Sequence, residues 1–263
     1  MTATCIACSR SFFLGCVLFA SSLCSSSAQQ ASPPATNADN VLQQLTTAFS
    51  NGQIVRQVQL TGTATWHAGS LEDSGTVSLT ASTDGSSQMQ LVLGTTGAKS
   101  ETQTGAGSDA SCQWAGADGV AHQIASDNCW RPAVWFLPTL SLQRSLLPDY
   151  LESADLGMGT VGSGTASYRH LQSQLVFTGL PAKMTTDITH QSTTNLGLDP
   201  VSLLPAVLTY SVHPDSGAQV PITIEVRYSD YRATNGAQIP FHIQRYVNGS
   251  LQLDILVSSA QVN

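Results

Sequence analysis

The stretch 222–257 alternates between apolar and polar side chains and is divided by two Asn-Gly pairs, Asn235-Gly236 and Asn248-Gly249. Alternation with a period of two is typical of a β-strand that buries one face. An Asn-Gly pair between two such runs is a strong hairpin signal, because both residues tolerate the left-handed backbone of a tight turn. The stretch therefore predicts three antiparallel strands, and it commits the chain to a sheet with one buried face.

The register of these strands follows from whether their apolar residues are even- or odd-numbered. They are even in the first strand and odd in the second and third: Ile222, Ile224, Val226 and Tyr228; Ile239, Phe241 and Ile243; Leu251, Leu253, Ile255 and Val257. Because a slip of one residue moves every apolar side chain to the other face, the first loop needs an even length and the second an odd length. We predict a two-residue type I′ turn at Asn235-Gly236 and a three-residue loop at 247–249, with Gly249 left-handed.

Upstream, the sequence predicts one helix followed by further strands. Residues 37–52 have apolar side chains at helical spacing, a cap at Asn37 or Asp39, and a stop at Asn51-Gly52. Strand patterns follow at 54–67, 75–82, 87–96, 98–104 and 165–177, whereas the glycine-rich segment 154–164 predicts a loop. The expected fold class is mainly β (α+β).

The segment 130–150 is the most apolar and aromatic part of the chain after its leader. Pro138 interrupts it, which predicts two short helical pieces rather than one helix. Such a segment either fills a closed core or forms a lid over an open apolar sheet. If it is a lid, the residues expected to line a hydrophobic ligand site are Trp114, Trp130, Trp135, Phe136 and Leu140.

The first 28 residues have the composition of a secretory signal peptide. Arg10 precedes an apolar run that is too short to span a bilayer, and small residues up to Ala28 form a cleavage site. We predict export by the general secretory route to the periplasm or the extracellular space, without a lipid anchor. Residues 29–36 are expected to be a disordered tether and residues 37–263 a single domain without a transmembrane segment.

Two cysteines remain beyond this leader, Cys112 and Cys129. An even pair in an exported chain predicts a disulfide, since disulfides persist in oxidising compartments. The alternative is two unpaired buried thiols. Composition also excludes a nucleic-acid partner, because 17 acidic residues outnumber ten basic ones and no basic cluster exists to bind phosphates.

No catalytic, metal-binding or cofactor-binding motif stands out. The six histidines have no ligand spacing, so we predict neither a metal nor a cofactor. We predict that the protein is not an enzyme. The alternative is a hydrolase with a dispersed site, which would need Ser163 close to His170 or His190.

Three charged residues, Asp230, Arg232 and Arg245, fall near the apolar face by the same even-odd counting. A buried charge is costly unless it is paired. They are therefore either a structural pair, or turned outward by a bulge at Ser229, or polar anchors inside a ligand cavity. Asp230 and Arg245 are the candidate anchors.

The order of elements, with Leu198-Asp199-Pro200, Tyr228-Ser229-Asp230-Tyr231, Asn235-Gly236 and Pro240, resembles the outer-membrane lipoprotein-sorting proteins, the LolA-like and LppX-like periplasmic carriers. The resemblance implies a curved antiparallel half-barrel whose concave apolar face is covered by helices and accepts acyl chains. It also implies a cavity arginine, for which Arg56 and Arg245 are the two candidates. We therefore expect a non-enzymatic carrier of a lipid, a lipoprotein acyl chain or another hydrophobic ligand. The alternative is a structural or interaction protein of the envelope with a closed core and a protein partner.

Overall fold

The computed structural model describes residues 38–131, 134–214 and 220–263. The predicted leader, the tether and the cap at Asn37 lie outside these ranges. The predicted helix is confirmed as α1, Ala38–Ser50, and its apolar stripe is buried at Val41, Leu42, Leu45 and Phe49. Asn51 and Gly52 end it with φ angles of 52° and 79°, because a left-handed residue closes the last helical turn.

Thirteen strands in the described ranges form one antiparallel sheet. Their bounds are β1 Gln57–Ala68, β2 Leu71–Ser82, β3 Ser87–Leu93, β4 Gly97–Thr104, β5 Ser111–Ala115, β6 Ala121–Gln123, β7 Leu151–Thr160, β8 Ser167–Leu175, β9 Thr194–Leu198, β10 Pro205–Val212, β11 Ile222–Thr234, β12 Ala237–Val247 and β13 Ser250–Val262. The order across the sheet is β6-β5-β4-β3-β2-β1-β13-β12-β11-β10-β9-β8-β7. The predicted mainly β class and the antiparallel half-barrel are confirmed.

The sheet is strongly curved, as one side-chain contact demonstrates. Glu101 on β4 and Arg245 on β12 are hydrogen-bonded, although β3, β2, β1 and β13 lie between their strands. In a flat sheet these two strands would be about 24 Å apart, which is far beyond the reach of the two side chains. The concave face must therefore bring β4 and β12 towards each other.

Strands β6 and β7 are consecutive in sequence but lie at opposite edges of the sheet. The connection between them, residues 124–150, is called the strap here, and the structure describes it as residues 124–131 and 134–150. Its two predicted helical pieces are confirmed as α2, Pro138–Ser141, and a 3₁₀ turn at Arg144–Leu146. Pro138 begins α2 instead of interrupting a helix, because proline fits the first turn, where no backbone N–H is needed.

Hydrogen bonds fix the strap to the rest of the fold at several points, among them Gln143, Asn128 and Trp135. The buried Gln143 accepts a bond from Val55 N (2.9 Å) and donates to Val55 O (2.6 Å). Asn128 makes the same kind of two-way contact with the backbone of His213, at 2.8 and 2.9 Å. The Tyr228 hydroxyl donates to the carbonyl of Trp135. Each bond satisfies a polar group that would otherwise be buried without a partner.

The predicted disulfide is present: Cys112 on β5 is bonded to Cys129 on the strap, with Cα atoms 5.8 Å apart. The two cysteines form a small apolar cluster with Ala110 and the half-buried Ile124. The disulfide therefore ties the first part of the strap to the edge of the sheet.

The two Asn-Gly turns differ from the prediction in one respect. Asn235-Gly236 is the expected two-residue turn, with Thr234 paired to Ala237. The second loop, predicted to have three residues, is also a two-residue turn at Asn248-Gly249, since Val247 pairs with Ser250. Both Asn248 and Gly249 have positive φ, at 48° and 80°, as a type I′ turn requires.

A β-bulge supplies the odd residue that the loop does not contain. Tyr246 pairs with Leu251 and Arg245 with Leu253, so Gln252 is the extra residue. Leu251 therefore lies opposite Tyr246 on the outer face, not on the apolar face with Leu253 as predicted. The even-odd counting correctly predicted one extra residue between the apolar positions of β12 and β13. It could not distinguish a longer loop from a bulge as the place of that residue.

Two other elements were predicted incorrectly or missed. The segment 154–164, predicted to be a loop, lies mostly in β7, where Gly157 has a φ of 79° and the register shifts between Asp155 and Met158. Its glycines accommodate this irregularity within a strand. Helix α3, Ala182–Ser192, was not predicted from its threonine-rich sequence. It packs on the sheet through Ile188 and Ser192, which are buried.

Candidate functional site

The centre of the concave face holds a bidentate ion pair between Arg245 and Glu101. Nη1 and Nη2 of Arg245 each donate a hydrogen bond to one oxygen of the Glu101 carboxylate, both at 2.8 Å. The Arg245 side chain is 7% exposed and that of Glu101 is 34% exposed. The guanidinium also lies over the ring of Trp135, 4.7 Å from its centroid, so three elements of the fold meet here: β4, β12 and the strap.

Each partner of this pair keeps the other charged. Burial raises the pKa of Glu101, but the charge and hydrogen bonds of Arg245 and the charge of Arg131 outweigh it, so the pKa lies below its ordinary value. For Arg245, burial lowers the pKa, and the attraction and hydrogen bonds of Glu101 raise it above its ordinary value. Both groups are therefore ionised at neutral pH.

A cavity of about 310 Å³ opens beside this pair, and it is called the main cavity here. Its walls come from β1, β4, β10, β11, β12, β13 and the strap. Aromatic rings and aliphatic side chains form most of the lining: Trp66, Trp135, Tyr210, Val212, Ile222 and Ile224. The polar groups are few, and apart from Glu101 and Arg245 they include Arg131 and Gln252.

Arg131 is a second cation in the main cavity. It lies on the strap two residues after Cys129, it is half-buried, and its guanidinium carbon is 4.9 Å from the ring centroid of Tyr210. Within the ranges that the structure describes, the Arg131 guanidinium has no ion pair with a carboxylate. Arg131 lines the cavity, and its guanidinium N–H groups are therefore available to a ligand there.

A smaller pocket of about 200 Å³ adjoins the main cavity and shares Trp66 and Glu101 with it. We call it the side pocket. Lys99 lies 5.4 Å from the ring centroid of Trp66, and Trp114 forms another wall. The ring of Trp114 stacks on His122 of the neighbouring strand, with centroids 4.5 Å apart.

Comparison with solved structures identifies the fold. A LolA superfamily protein from Nitrosomonas europaea superposes with a TM-score of 0.50 at 12% identity, covering 87% of this chain and 94% of its own. A putative outer membrane lipoprotein-sorting protein domain from Vibrio parahaemolyticus has a TM-score of 0.51 at 8% identity (86% and 94% covered). A DUF1329 family protein from Desulfovibrio piger has a TM-score of 0.53 at 10% identity (88% and 93% covered).

This chain has the LolA-like fold. The resemblance noted in the sequence is thereby confirmed at the level of fold. No protein-family model matches the chain, and no curated protein matches its sequence. Across residues 38–131, 134–214 and 220–263, no helix is long and apolar enough to cross a membrane.

The predicted lid residues have separate locations in this LolA-like fold. Trp135 lines the main cavity and Trp114 the side pocket. Phe136 and Leu140 are at most 1% exposed and belong to the closed core under the strap. Trp130 is half-buried and lines neither space. The strap therefore has a core-filling part and a cavity-lining part, which hydrophobicity alone does not separate.

The two candidate anchors are not brought together. Arg245 lines the main cavity, and Arg56, the other candidate for the cavity arginine, is exposed just before β1. Asp230 has a φ of 54°, and its half-exposed side chain accepts hydrogen bonds from Arg232. Asp230 is thus paired with Arg232, as the structural-pair alternative expected, and the register of β11 and β12 shows no bulge at Ser229. The partner of Arg245 is Glu101 and not Asp230.

Two of the residues named for a hydrolase are hydrogen-bonded to other partners. Ser163 is hydrogen-bonded to Glu225 (2.7 Å from its backbone N–H), and His170 to Asn195. His242 does bridge Ser229 (3.3 Å) and Asp254 (2.8 Å). These three side chains lie on the outer face of the sheet. His242 and Asp254 are next in sequence to Ile243 and Ile255, which face inward, and successive residues of a strand face opposite sides. The described ranges contain no group of three His, Cys, Asp or Glu side chains that could hold a metal.

Sequence reasoning missed Trp66, Glu101, Arg131 and Gln252. For Glu101 a signal existed: β4 reads GAKSETQT, so Lys99, Glu101 and Gln103 alternate on one face with no large apolar residue. Lys99 and Glu101 pair with the buried Leu91 and Met89 of β3, so this polar face is the concave one. A strand with no apolar face beside strongly apolar ones indicates a polar patch inside the half-barrel.

Proposed function

We propose that this protein is an exported, non-enzymatic binding protein that holds a hydrophobic ligand in the main cavity. The observation that carries the proposal is the cavity itself: about 310 Å³, lined mainly by aromatic and aliphatic side chains with a few polar groups. Small-molecule sites are typically apolar clefts of roughly 300–1,000 Å³ with a few placed polar groups. The main cavity has this composition, and the side pocket extends it.

The class of ligand follows from the fold and the lining together. Solved proteins with this fold include one named as an outer membrane lipoprotein-sorting domain, and a lipid or lipoprotein acyl chain suits aromatic and aliphatic walls. The leader-like residues 1–28 support export to the periplasm or beyond, with residues 37–263 as one domain. A lipoprotein ligand would make this protein one part of an envelope system that includes a partner protein.

A structural or interaction protein of the envelope is the second candidate, and one observation favours it. Phe136 and Leu140 are completely packed, and Gln143 and Asn128 fix the strap by hydrogen bonds. A strap that never opens would leave the cavity as an incidental space in a closed core. The two candidates differ in whether an apolar molecule occupies the cavity in solution.

Native mass spectrometry of the purified full chain tests occupancy, and tryptophan fluorescence during titration with dodecanol tests binding at Trp66 and Trp135. We expect a saturable change that Ile224→Trp weakens about tenfold or more, because the larger ring fills the cavity. Leu256→Trp is the matched control, since Leu256 is 56% exposed on β13. A protein that carries no lipid and shows no saturable change would favour the closed-core candidate.

A further inference from the structure

We propose that the ligand of the main cavity is an amphiphile with one acidic head, a carboxylate or a phosphate, which Arg131 binds. This inference rests on the proposed function and narrows its ligand class. It comes from a contrast in charge between the cavity and the whole chain, and from the arrangement of the two cavity arginines.

The cavity has the opposite charge balance to the protein. The chain as a whole has 17 acidic and ten basic residues. The main cavity and the side pocket are nevertheless lined by three cations, Lys99, Arg131 and Arg245, and by a single carboxylate, Glu101. A cleft lined by one sign of charge attracts ligands of the other sign, so these two spaces favour an anion although the protein is acidic.

Glu101 is already fully engaged by one of these cations. Arg245 takes both of its carboxylate oxygens in a bidentate contact at 2.8 Å. The charge of Glu101 is therefore largely balanced before Arg131 is considered. Arg131 contributes to lowering the pKa of Glu101 through its charge, but in the described ranges it forms no hydrogen-bonded ion pair with it.

Arg131 is held in place without a carboxylate partner. Its guanidinium lies over Tyr210 at 4.9 Å, and the disulfide at Cys129 fixes the backbone two residues before it. A ligand that fills the cavity would remove this guanidinium from water, and a cation buried in that way is costly unless it is paired. The planar guanidinium fork matches the two oxygens of a carboxylate or phosphate, so an acidic ligand head would supply the missing partner.

The other wall of the same cavity accepts the apolar part of the ligand. Val212, Ile222, Ile224 and Val247 line it, with Trp66 and Trp135 beside them. A free inorganic anion would leave this apolar surface uncovered, and a neutral hydrocarbon would leave Arg131 without a partner. A molecule with one acidic head and one apolar chain would bind Arg131 with its head and cover the apolar wall with its chain.

The test compares the affinities of dodecanoate, dodecyl phosphate, dodecanol and inorganic phosphate for the full chain by isothermal titration calorimetry. We expect the two acidic amphiphiles to bind about tenfold or more tightly than dodecanol, in line with a charge-assisted hydrogen-bonded contact. Arg131→Gln should remove this preference by weakening the binding of dodecanoate and dodecyl phosphate, while Arg131→Lys should retain part of it. Arg56→Gln, at an exposed arginine, is the matched control and should retain all of it.

Other outcomes would overturn the inference in distinguishable ways. If dodecanol binds as tightly as the two acidic amphiphiles, the proposed function stands and the acidic head is wrong. A preference that survives Arg131→Gln, in a variant with an unchanged circular dichroism spectrum, would remove the role of Arg131. Inorganic phosphate binding as tightly as dodecanoate would indicate a simple anion site. Absence of binding by all four would remove the proposed function as well.

Discussion

Arg245 on β12 and Glu101 on β4 join two strands that are separated by four others in the sheet. Their ion pair lies on the concave face, where it connects the two sides of the half-barrel and forms part of the cavity wall. One pair of side chains therefore contributes both to the curvature of the sheet and to the polarity of the site.

Removing Glu101 alone should be more destabilising than replacing the pair. In Glu101→Leu, the buried guanidinium of Arg245 has no carboxylate partner, and we expect a loss of about 2–3 kcal/mol in the free energy of unfolding. This is below the range for fully buried pairs, because a third of Glu101 is exposed. The double variant Glu101→Leu/Arg245→Met should recover most of it. Guanidinium chloride unfolding measures the free energy of unfolding of the wild type, the single variant and the double variant. A double variant less stable than the single one would contradict the prediction.

The same pair predicts a dependence of stability on pH. The folded-state pKa of Glu101 is below its ordinary value of 4.5, so its contribution is complete above that value and is lost as the pH falls through the folded-state pKa. Between about pH 5 and about pH 3, the free energy of unfolding of the wild type should therefore decrease more steeply than that of Glu101→Leu/Arg245→Met. Thermal unfolding across this interval checks it. Equal slopes for the two proteins would show that Glu101 does not contribute.

Gln143, which is buried, should contribute much more to the free energy of unfolding than an exposed glutamine on a strand does. Gln143→Leu leaves Val55 N and Val55 O buried without their partners, and we expect a loss of about 2–4 kcal/mol. The control is Gln59→Leu on β1, where the side chain is exposed and should change stability by less than about 0.5 kcal/mol. Urea unfolding followed by tryptophan fluorescence compares them. Similar losses in both variants would contradict the anchoring role.

The bulge on β13 predicts that one residue can be deleted without changing the register. Without Gln252, Tyr246 still pairs with Leu251 and Arg245 with Leu253, so the apolar face of the strand is retained. Deleting Asp254 instead would move Ile255 and Val257 to the outer face if the bulge is kept, or the buried Leu253 if the bulge is absorbed, and should prevent normal folding. Circular dichroism and the cooperativity of thermal unfolding distinguish the two deletions. Loss of folding in the Gln252 deletion would contradict the assigned bulge.

The sequence was sufficient for the class of fold because that information is local. Alternation from Ile222 to Val257 was enough to predict the three strands, and the Asn235-Gly236 turn to predict the register of β11 and β12. Spacing at 41–49 was enough to predict α1. The bulge at Gln252 was beyond reach, because a loop residue and a bulge residue satisfy the same even-odd count. Helix α3 was missed because its burial against the sheet, and not its helix propensity, holds it in place.

The site was less accessible to sequence reasoning, because it is assembled from contacts between distant segments. Arg245 was selected for its position on an apolar face, but its partner is 144 residues away. Arg131 and Trp66 have nothing in their local sequence that separates them from other surface or core residues. Only the curvature of the sheet and the path of the strap bring them to one cavity.

The path of the strap also has a mechanical consequence. Because residues 124–150 connect the two outermost strands of the sheet, the strap acts as a tie between the free edges of the half-barrel. The width of the half-barrel opening is then limited by the length of the strap. The disulfide at Cys129 and the hydrogen bonds of Asn128 and Gln143 limit it further. Lengthening the strap would widen the opening without altering a single strand, whereas shortening it would increase the curvature of the whole sheet.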